Sequence, residues 1–83
     1  MEESFKDFAE LAENLSRGGE VEFDFKGRSY SITHIDDGIY ITEAYNEASE
    51  MIYQTPNEVG EYVISGHKLK DIVPLLQITF RCF

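Results

Sequence analysis

The alternation of apolar and charged residues just after position 20 constrains this chain more than any other feature. Val21, Phe23 and Phe25 alternate with acidic residues, a period of two that is typical of a strand with one buried face and one face in water. Lys26-Gly27 follows as a tight turn, because glycine adopts the positive φ that such a turn needs. The sequence therefore predicts a β-hairpin.

The returning strand, residues 28–35, sets the register of the predicted hairpin. A two-residue loop makes Phe23 face Tyr30 and Val21 face Ile32. These are pairs of aromatic and β-branched side chains, which sheets favour.

A second turn and a third strand extend the hairpin into a predicted three-stranded antiparallel meander. The turn is Asp36-Asp37-Gly38, and the strand covers residues 39–45. Two or three residues in the turn fit equally well. A slip of one residue would exchange the two faces of the third strand.

An amphipathic helix is predicted ahead of the meander. Its apolar residues at helical spacing are Phe5, Phe8, Leu11, Ala12 and Leu15. A capping pattern begins at Ser4, and Gly18-Gly19 ends the helix.

The last third of the chain predicts short elements. Residues 46–50 are polar and typical of a turn, and residues 51–53 suit a short edge strand. Thr55-Pro56 opens a helix by a hydroxyl cap and a proline at the first helical position. Pro74 ends any second helix, and residues 76–82 alternate as a final strand with Cys82 on its inner face.

These elements predict an α+β fold in a single domain over residues 1–83. An N-terminal helix and one or two short helices would pack on one face of a mainly antiparallel sheet. The sheet would contain three to five strands, with the C-terminal strand completing it.

Few residues suggest chemistry. His34 and His67 lie in no metal-ligand spacing, and nothing resembles a nucleophile elbow. Cys82 is the single cysteine, which excludes an internal disulfide. We therefore predict no catalytic, cofactor or metal site and a protein that is not an enzyme. A cytoplasmic setting, without signal peptide or membrane span, fits this pattern.

The charge balance favours a basic protein as partner. Sixteen acidic residues against 7 basic ones give a net charge of −9. Phosphates and anionic membranes need lysine and arginine, so direct binding of nucleic acid or of a membrane is disfavoured. Two alternatives stay open: the acidity serves solubility alone, and the chain is a structural or self-associating protein, such as a homodimer.

The acidity is concentrated where basic residues are missing. Between Arg28 and Lys68 there is no lysine or arginine, yet this interval contains seven acidic residues and all five tyrosines. Tyrosines are favoured in protein interfaces, and acids beside them would steer a basic partner. The first strand adds a row of carboxylates about 6.8 Å apart, which can imitate a line of phosphates. The predicted partner-binding residues are Glu20, Glu22, Asp24, Asp36, Asp37, Glu43, Tyr45 and Glu47.

Two segments also carry a resemblance to a group of known proteins. They are VEFDFKGRSYSITHIDDGIYITEAYNE (residues 21–47) and ISGHKLKDIV (residues 64–73). They resemble small, mostly uncharacterised proteins of phages and mobile elements of Gram-positive bacteria, with a KG or NG hairpin, a third strand ending in YNE and a G-x-K-L-K-D/E-I segment. The resemblance implies a context in a host cell, and by analogy a phage-encoded inhibitor that presents carboxylates to a defence nuclease.

Overall fold

The computed structural model describes residues 4–36 and 38–82. Three short α-helices, one 3₁₀ turn and seven strands follow one another along these residues. In chain order they are α1 (Phe8–Ser16), β1 (Val21–Phe25), β2 (Arg28–Ile35), β3 (Gly38–Glu43), β4 (Asn46–Tyr53), α2 (Pro56–Val59), β5 (Val63–Ile64), β6 (His67–Lys68), α3 (Leu69–Ile72), the 3₁₀ turn (Val73–Leu75) and β7 (Gln77–Arg81).

The strands form one five-stranded antiparallel sheet and one small two-stranded ribbon. The order in the large sheet is β4-β3-β2-β1-β7, and β5 pairs with β6. The predicted α+β class and the C-terminal strand beside the meander are confirmed. The predicted number of meander strands is wrong, because the meander has four strands rather than three.

The first hairpin has the predicted register. Phe23 faces Tyr30 and Val21 faces Ile32, and the rings of the first pair stack with centroids 5.2 Å apart. Lys26 and Gly27 both have positive φ (51° and 80°), which is the requirement of a two-residue turn that matches the twist of its strands.

The next two turns settle the limits of β3. Ile35 pairs with Gly38, so the second turn contains two residues, of which Asp37 lies outside the described part of the chain. The strand ends at Glu43 and not at position 45. Tyr45 instead belongs to the following turn, where its φ is 63°.

Residues 46–50 form the first part of β4, where the sequence predicted a turn. This segment has no apolar alternation, so its strand is held by polar contacts instead. The backbone N–H of Glu43 donates to Ser49 Oγ at 2.8 Å, at a bulge where the register between β3 and β4 shifts. Such bulges interrupt the regular ladder without ending the pairing.

The N-cap of helix α1 lies three residues later than the predicted cap, Ser4. Asp7 is its N-cap, and its Oδ1 accepts from the backbone N–H of Glu10 at 3.0 Å. The carboxylate of Glu10 in turn accepts from the N–H of Lys6, the residue before the cap, so the two bonds resemble a capping box displaced by one residue. Phe5 precedes the helix and is completely buried, 4.6 Å from the guanidinium of Arg81.

The helix predicted to begin at Thr55-Pro56 is only one turn long. It ends at Val59, and the ring of Phe8 lies close to the following residue, Gly60. A β-carbon at Gly60 would lie 2.9 Å from that ring. Ser65-Gly66 joins β5 to β6.

A bulge also changes the faces of β7. Phe23 faces Ile78, but Glu22 faces Phe80, so one extra residue is accommodated between these two pairs. Ile78 is therefore buried as predicted, whereas Phe80 points outward and is exposed. The prediction that Cys82 is a core residue is wrong, since it lies beyond the strand and is exposed.

The core is a single layer between the helices and one face of the large sheet, which we name the inner face. The largest side chains that it buries completely are Phe5, Phe23, Leu11, Leu15, Ile32, Ile41, Ile64, Leu69 and Leu76. The opposite side of the sheet, which we name the open face, carries the outward side chains of the same strands. They include Glu22, Asp24, Ser31, Thr33, Tyr40, Thr42, Glu50, Ile52 and Phe80.

Candidate functional site

Two carboxylates of β1 lie on the open face, between β2 and the edge strand β7. Glu22 and Asp24 alternate with three buried residues of the same strand, so both project to the side away from the helices. Glu22 is exposed and lies between Ser31 on one neighbouring strand and Phe80 on the other. Asp24 accepts a hydrogen bond from Ser29 Oγ at 2.6 Å, which orients its carboxylate.

A third carboxylate lies on the open face near the far edge of the sheet. Tyr40 Oη donates to Glu50 Oε2 at 2.5 Å, which joins β3 to β4. The hydrogen bond to Glu50, with a smaller contribution from burial, raises the pKa of the Tyr40 phenol. The phenol therefore stays neutral at physiological pH and keeps its proton between the two oxygens.

The described lysines and arginines lie away from this face. Four of the seven form ion pairs with carboxylates: Arg17–Glu13, Arg28–Glu43, Lys68–Glu61 and Lys70–Glu61. Two others lie over aromatic rings of the core, Lys26 over Phe25 and Arg81 over Phe5. Among the outward positions of the five strands of the large sheet, within the described residues, there is no lysine or arginine. The fold thus separates the charges: acids elsewhere are paired with cations, whereas the described carboxylates of the open face are not.

A groove lies beside β4 on the inner-face side of the sheet. It has a volume of about 490 Å³ and is lined by the phenols of Tyr30, Tyr53 and Tyr62, together with Glu43 and Arg28 among others. Tyr62 Oη donates to the backbone oxygen of Ser49 at 2.8 Å, which fixes one wall to the sheet. The groove is thus aromatic, with its charged groups already paired at the rim.

The titratable groups of the groove respond to burial and to neighbouring charge. Burial is the main cause that raises the pKa of Tyr30, Tyr53 and Tyr62. The pKa of Glu61 is lowered, because the ammonium groups of Lys68 and Lys70 lie 2.8 and 3.0 Å from its oxygens. The phenols are therefore neutral hydrogen-bonding groups and not anions at physiological pH.

The raised phenol pKa values predict a loss of stability at alkaline pH. Unfolded tyrosines ionise near pH 10, whereas the folded ones hold their protons to higher pH, so the free energy of unfolding should fall as pH rises above about 10. Urea denaturation at several values between about pH 9 and 11 measures the slope. Tyr53→Phe should reduce it. An unchanged slope in that variant would exclude Tyr53 as a source of the effect.

The structure brings only part of the predicted partner-binding set together. Glu22 and Asp24 share the open face, and alternation places the half-exposed Glu20 on the same side. Asp36 and Tyr45 are exposed in turns at opposite ends of β3. The remaining members are Glu43, which lies on the inner face against Arg28, Glu47, which is exposed on β4, and Asp37, which lies outside the described residues.

The five tyrosines do not converge on one exposed surface. Tyr30 and Tyr62 are buried and Tyr53 is half-buried, all three toward the groove, while Tyr45 is fully exposed at a turn. Tyr40 is half-buried on the open face. Sequence reasoning missed the pair of Tyr40 and Glu50, although the alternation of Tyr40 with Ile39 and Ile41 already indicated an outward side chain.

The two histidines are not joined to a larger polar constellation. His34 Nε2 lies 3.0 Å from the backbone oxygen of Gly19, and His67 is exposed on β6. Within residues 4–36 and 38–82, no three side chains of the metal-binding types come together. In the same residues, no helix is both long enough and apolar enough to cross a lipid bilayer.

Comparison with family models, with curated proteins and with solved structures finds no match for this chain. The interpretation of its function therefore depends on the geometry and charge described above.

Proposed function

We propose that this protein is a small, acidic, non-enzymatic binding module that docks its open face on a basic surface of a partner protein. The observation that supports the proposal is the separation of charge across the sheet. Glu22, Asp24 and Glu50 project from a face whose described outward positions include no cation. A basic surface would meet carboxylates there without displacing an existing ion pair.

The geometry of these carboxylates suits a surface that normally binds nucleic acid. Alternate residues of one strand stand about 6.8 Å apart, which is close to the spacing of successive phosphates along one strand of an extended nucleic acid. Complementary charge mainly accelerates association and selects the partner. The net charge of −9 adds long-range attraction, which salt weakens.

The same surface, and the resemblance of residues 21–47 and 64–73 to proteins of phages and mobile elements, support a proposal for the kind of partner. We propose a phage-encoded inhibitor that acts in the cytoplasm of the host cell and occupies the nucleic-acid site of a host protein such as a defence nuclease. In this role the protein catalyses no reaction and needs no cofactor, because occupation of the site is sufficient.

Binding to a cationic probe tests the role of the open face. A fluorescent oligolysine peptide should bind the protein at about 0.05 M salt and dissociate at about 0.5 M salt. The double variant Glu22→Gln/Asp24→Asn should weaken binding roughly tenfold, which corresponds to about 1.4 kcal/mol. Glu13→Gln/Asp71→Asn is the matched control, since it removes the same charge from exposed sites on the helices.

Two results would contradict the proposal. One is the absence of binding at low salt. The other is an equal loss of affinity in both double variants, because the peptide would then respond only to net charge and not to the open face.

The alternative function is self-association through exposed apolar side chains. Ile35, Ile52 and Phe80 are 44%, 57% and 47% exposed, and all three belong to the open face or its rim. The two functions differ in the sign of their salt dependence. Two copies with a charge of −9 repel each other, so a homodimer should strengthen as salt rises, whereas docking on a basic partner should weaken. Light scattering at low and high salt distinguishes them.

A further inference from the structure

Strand β4 ends the large sheet with one side unpaired. Its residues Met51 and Tyr53 face Ile41 and Ile39 of β3, and β4 pairs with no other described strand. In an antiparallel ladder, successive residues direct their peptide groups alternately to the two sides of the strand. Half of the peptide groups of β4 therefore face away from the sheet.

One hydrogen bond sets the phase of this alternation. The N–H of Ala44 donates to the oxygen of Ser29 at 2.8 Å, so these opposed residues form a hydrogen-bonded pair that continues the ladder of β2 and β3. Such pairs recur at every second residue, which makes Thr33–Tyr40 another of them. The N–H and C=O of Tyr40 therefore point to β2 and not to β4. Ile52, which faces Tyr40 on β4, consequently has its own N–H and C=O pointing away from the sheet. We name the outward peptide groups of residues 50–53 the free edge.

Residues 51–53 of the free edge pair regularly with β3, and the register shift of β4 lies before them, between Asn46 and Met51. Residues 46–53 contain no lysine, arginine or proline, and Met51 and Ile52 are 48% and 57% exposed. The opposite edge strand, β7, is different. It is shorter than β4, with five residues against eight, and it carries a cation at Arg81. The two edges of the sheet are therefore not equivalent, and β4 is the one open to a further strand.

A strand added at the free edge would meet a different environment on each face of the sheet. On the open face the carboxylate of Glu50 is exposed and bonded only to the Tyr40 phenol among the described contacts. On the inner face, the aromatic groove opens beside Met51 and Tyr53, and its charged groups already have partners. Successive side chains of an added strand would reach these two environments alternately.

We propose that the free edge receives an extended segment of the partner protein in which basic residues alternate with apolar ones. The basic side chains reach Glu50 on the open face, the apolar ones enter the groove, and backbone hydrogen bonds extend the sheet by a sixth strand. This inference depends on the proposed function and specifies how the basic partner is recognised. A second copy of this chain fits less well, because Glu47 and Glu50 of two such edges would face each other.

Methylated peptides test the inference. The probe is a six-residue peptide in which lysine alternates with leucine, and it should bind the protein at low salt. In an extended peptide all lysine N–H groups point to one side and all leucine N–H groups to the other. N-methylation of one set should therefore weaken binding at least about tenfold, while N-methylation of the other set leaves it unchanged.

The outcomes separate the two levels of the argument. If neither the unmethylated peptide nor oligolysine binds, the proposed function fails. If the unmethylated peptide and both methylated isomers bind equally, the charge-based function stands and the strand addition is refuted. If both isomers lose binding equally, the strand addition is refuted as well, because an edge strand has only one side to offer.

A pair of variants examines the edge itself. Ile52→Pro removes the outward N–H without changing the charge, whereas Ile52→Thr keeps the N–H and suits a strand. Only the proline variant should lose the peptide, and in the unchanged protein the peptide should slow hydrogen exchange at the Ile52 amide. This exchange measurement decides the question if the proline variant does not fold. Protection of that amide in the protein alone, together with a dimer in light scattering, would assign the edge to a second copy and overturn the proposal.

Discussion

Replacing Phe23 by alanine is expected to lower the free energy of unfolding by about 3–5 kcal/mol. Phe23 is completely buried, stacks on Tyr30 with centroids 5.2 Å apart and faces Ile78 on β7. The substitution removes an aromatic ring at the position where three strands meet, and the cavity cannot close without moving paired backbone. Small domains have only about 5–15 kcal/mol of stability, so a large part of it would be lost.

The neighbouring residue supplies the control. Glu22→Ala changes the same strand on its other, exposed face and should cost less than about 0.5 kcal/mol. Urea denaturation of both variants measures the difference. Similar losses in the two would mean that β1 does not separate a buried face from an open one, and the assignment of the open face would fail with it.

Gly19→Ala is the second large effect, and we expect it to cost about 1–3 kcal/mol or more. A β-carbon there would lie 2.8 Å from the backbone oxygen of Asn14 and closer still to the backbone oxygen of Cys82. Neither oxygen belongs to a flexible side chain, so the end of α1 and the end of β7 would have to separate. The affected contacts are the hydrogen bonds from Cys82 N–H to Glu20 and from the Asn14 amide to Cys82.

Hydrogen exchange distinguishes this clash from an ordinary loss of stability. In Gly19→Ala, the Cys82 amide should exchange much faster under conditions in which the core amides remain protected. Gly27→Ala is the comparison, because that glycine has a φ of 80° but no atom within 4 Å of the added carbon. It should destabilise the hairpin turn and leave the Cys82 amide protected. Equal exchange in both variants would show that the close approach is unimportant.

The features that the sequence predicted correctly depend on neighbours close in the chain. The register of Phe23 with Tyr30 follows from a two-residue turn, and the outward row of Glu22 and Asp24 follows from alternation. The stripe of Leu11 and Leu15 likewise marks the buried side of α1. In each case the local pattern and the packing agree, which is why these parts of the fold could be derived without coordinates.

The errors arise where distant contacts override the local pattern. Residues 46–50 have no apolar alternation, and only pairing with β3 makes them a strand. The bulge beside Glu22 turns Phe80 outward, although the pattern of β7 placed it inside. The sequence left open which tyrosines are exposed, and Tyr62 is buried, with its Oη donating to the backbone oxygen of Ser49 thirteen residues away in the chain. Glu43 illustrates the same limit, since its partner Arg28 comes from another strand.

The position of β7 beside β1 has a consequence for the order in which the molecule assembles. The four meander strands can pair successively as synthesis proceeds, because each contacts its predecessor. The second side of β1 must wait for residues from the other end of the sequence, so its pairing carries most of the loop-closure entropy of the sheet. A nascent chain would therefore expose a hydrophobic hairpin edge until the last strand arrives, and chaperone binding to stalled intermediates should concentrate there.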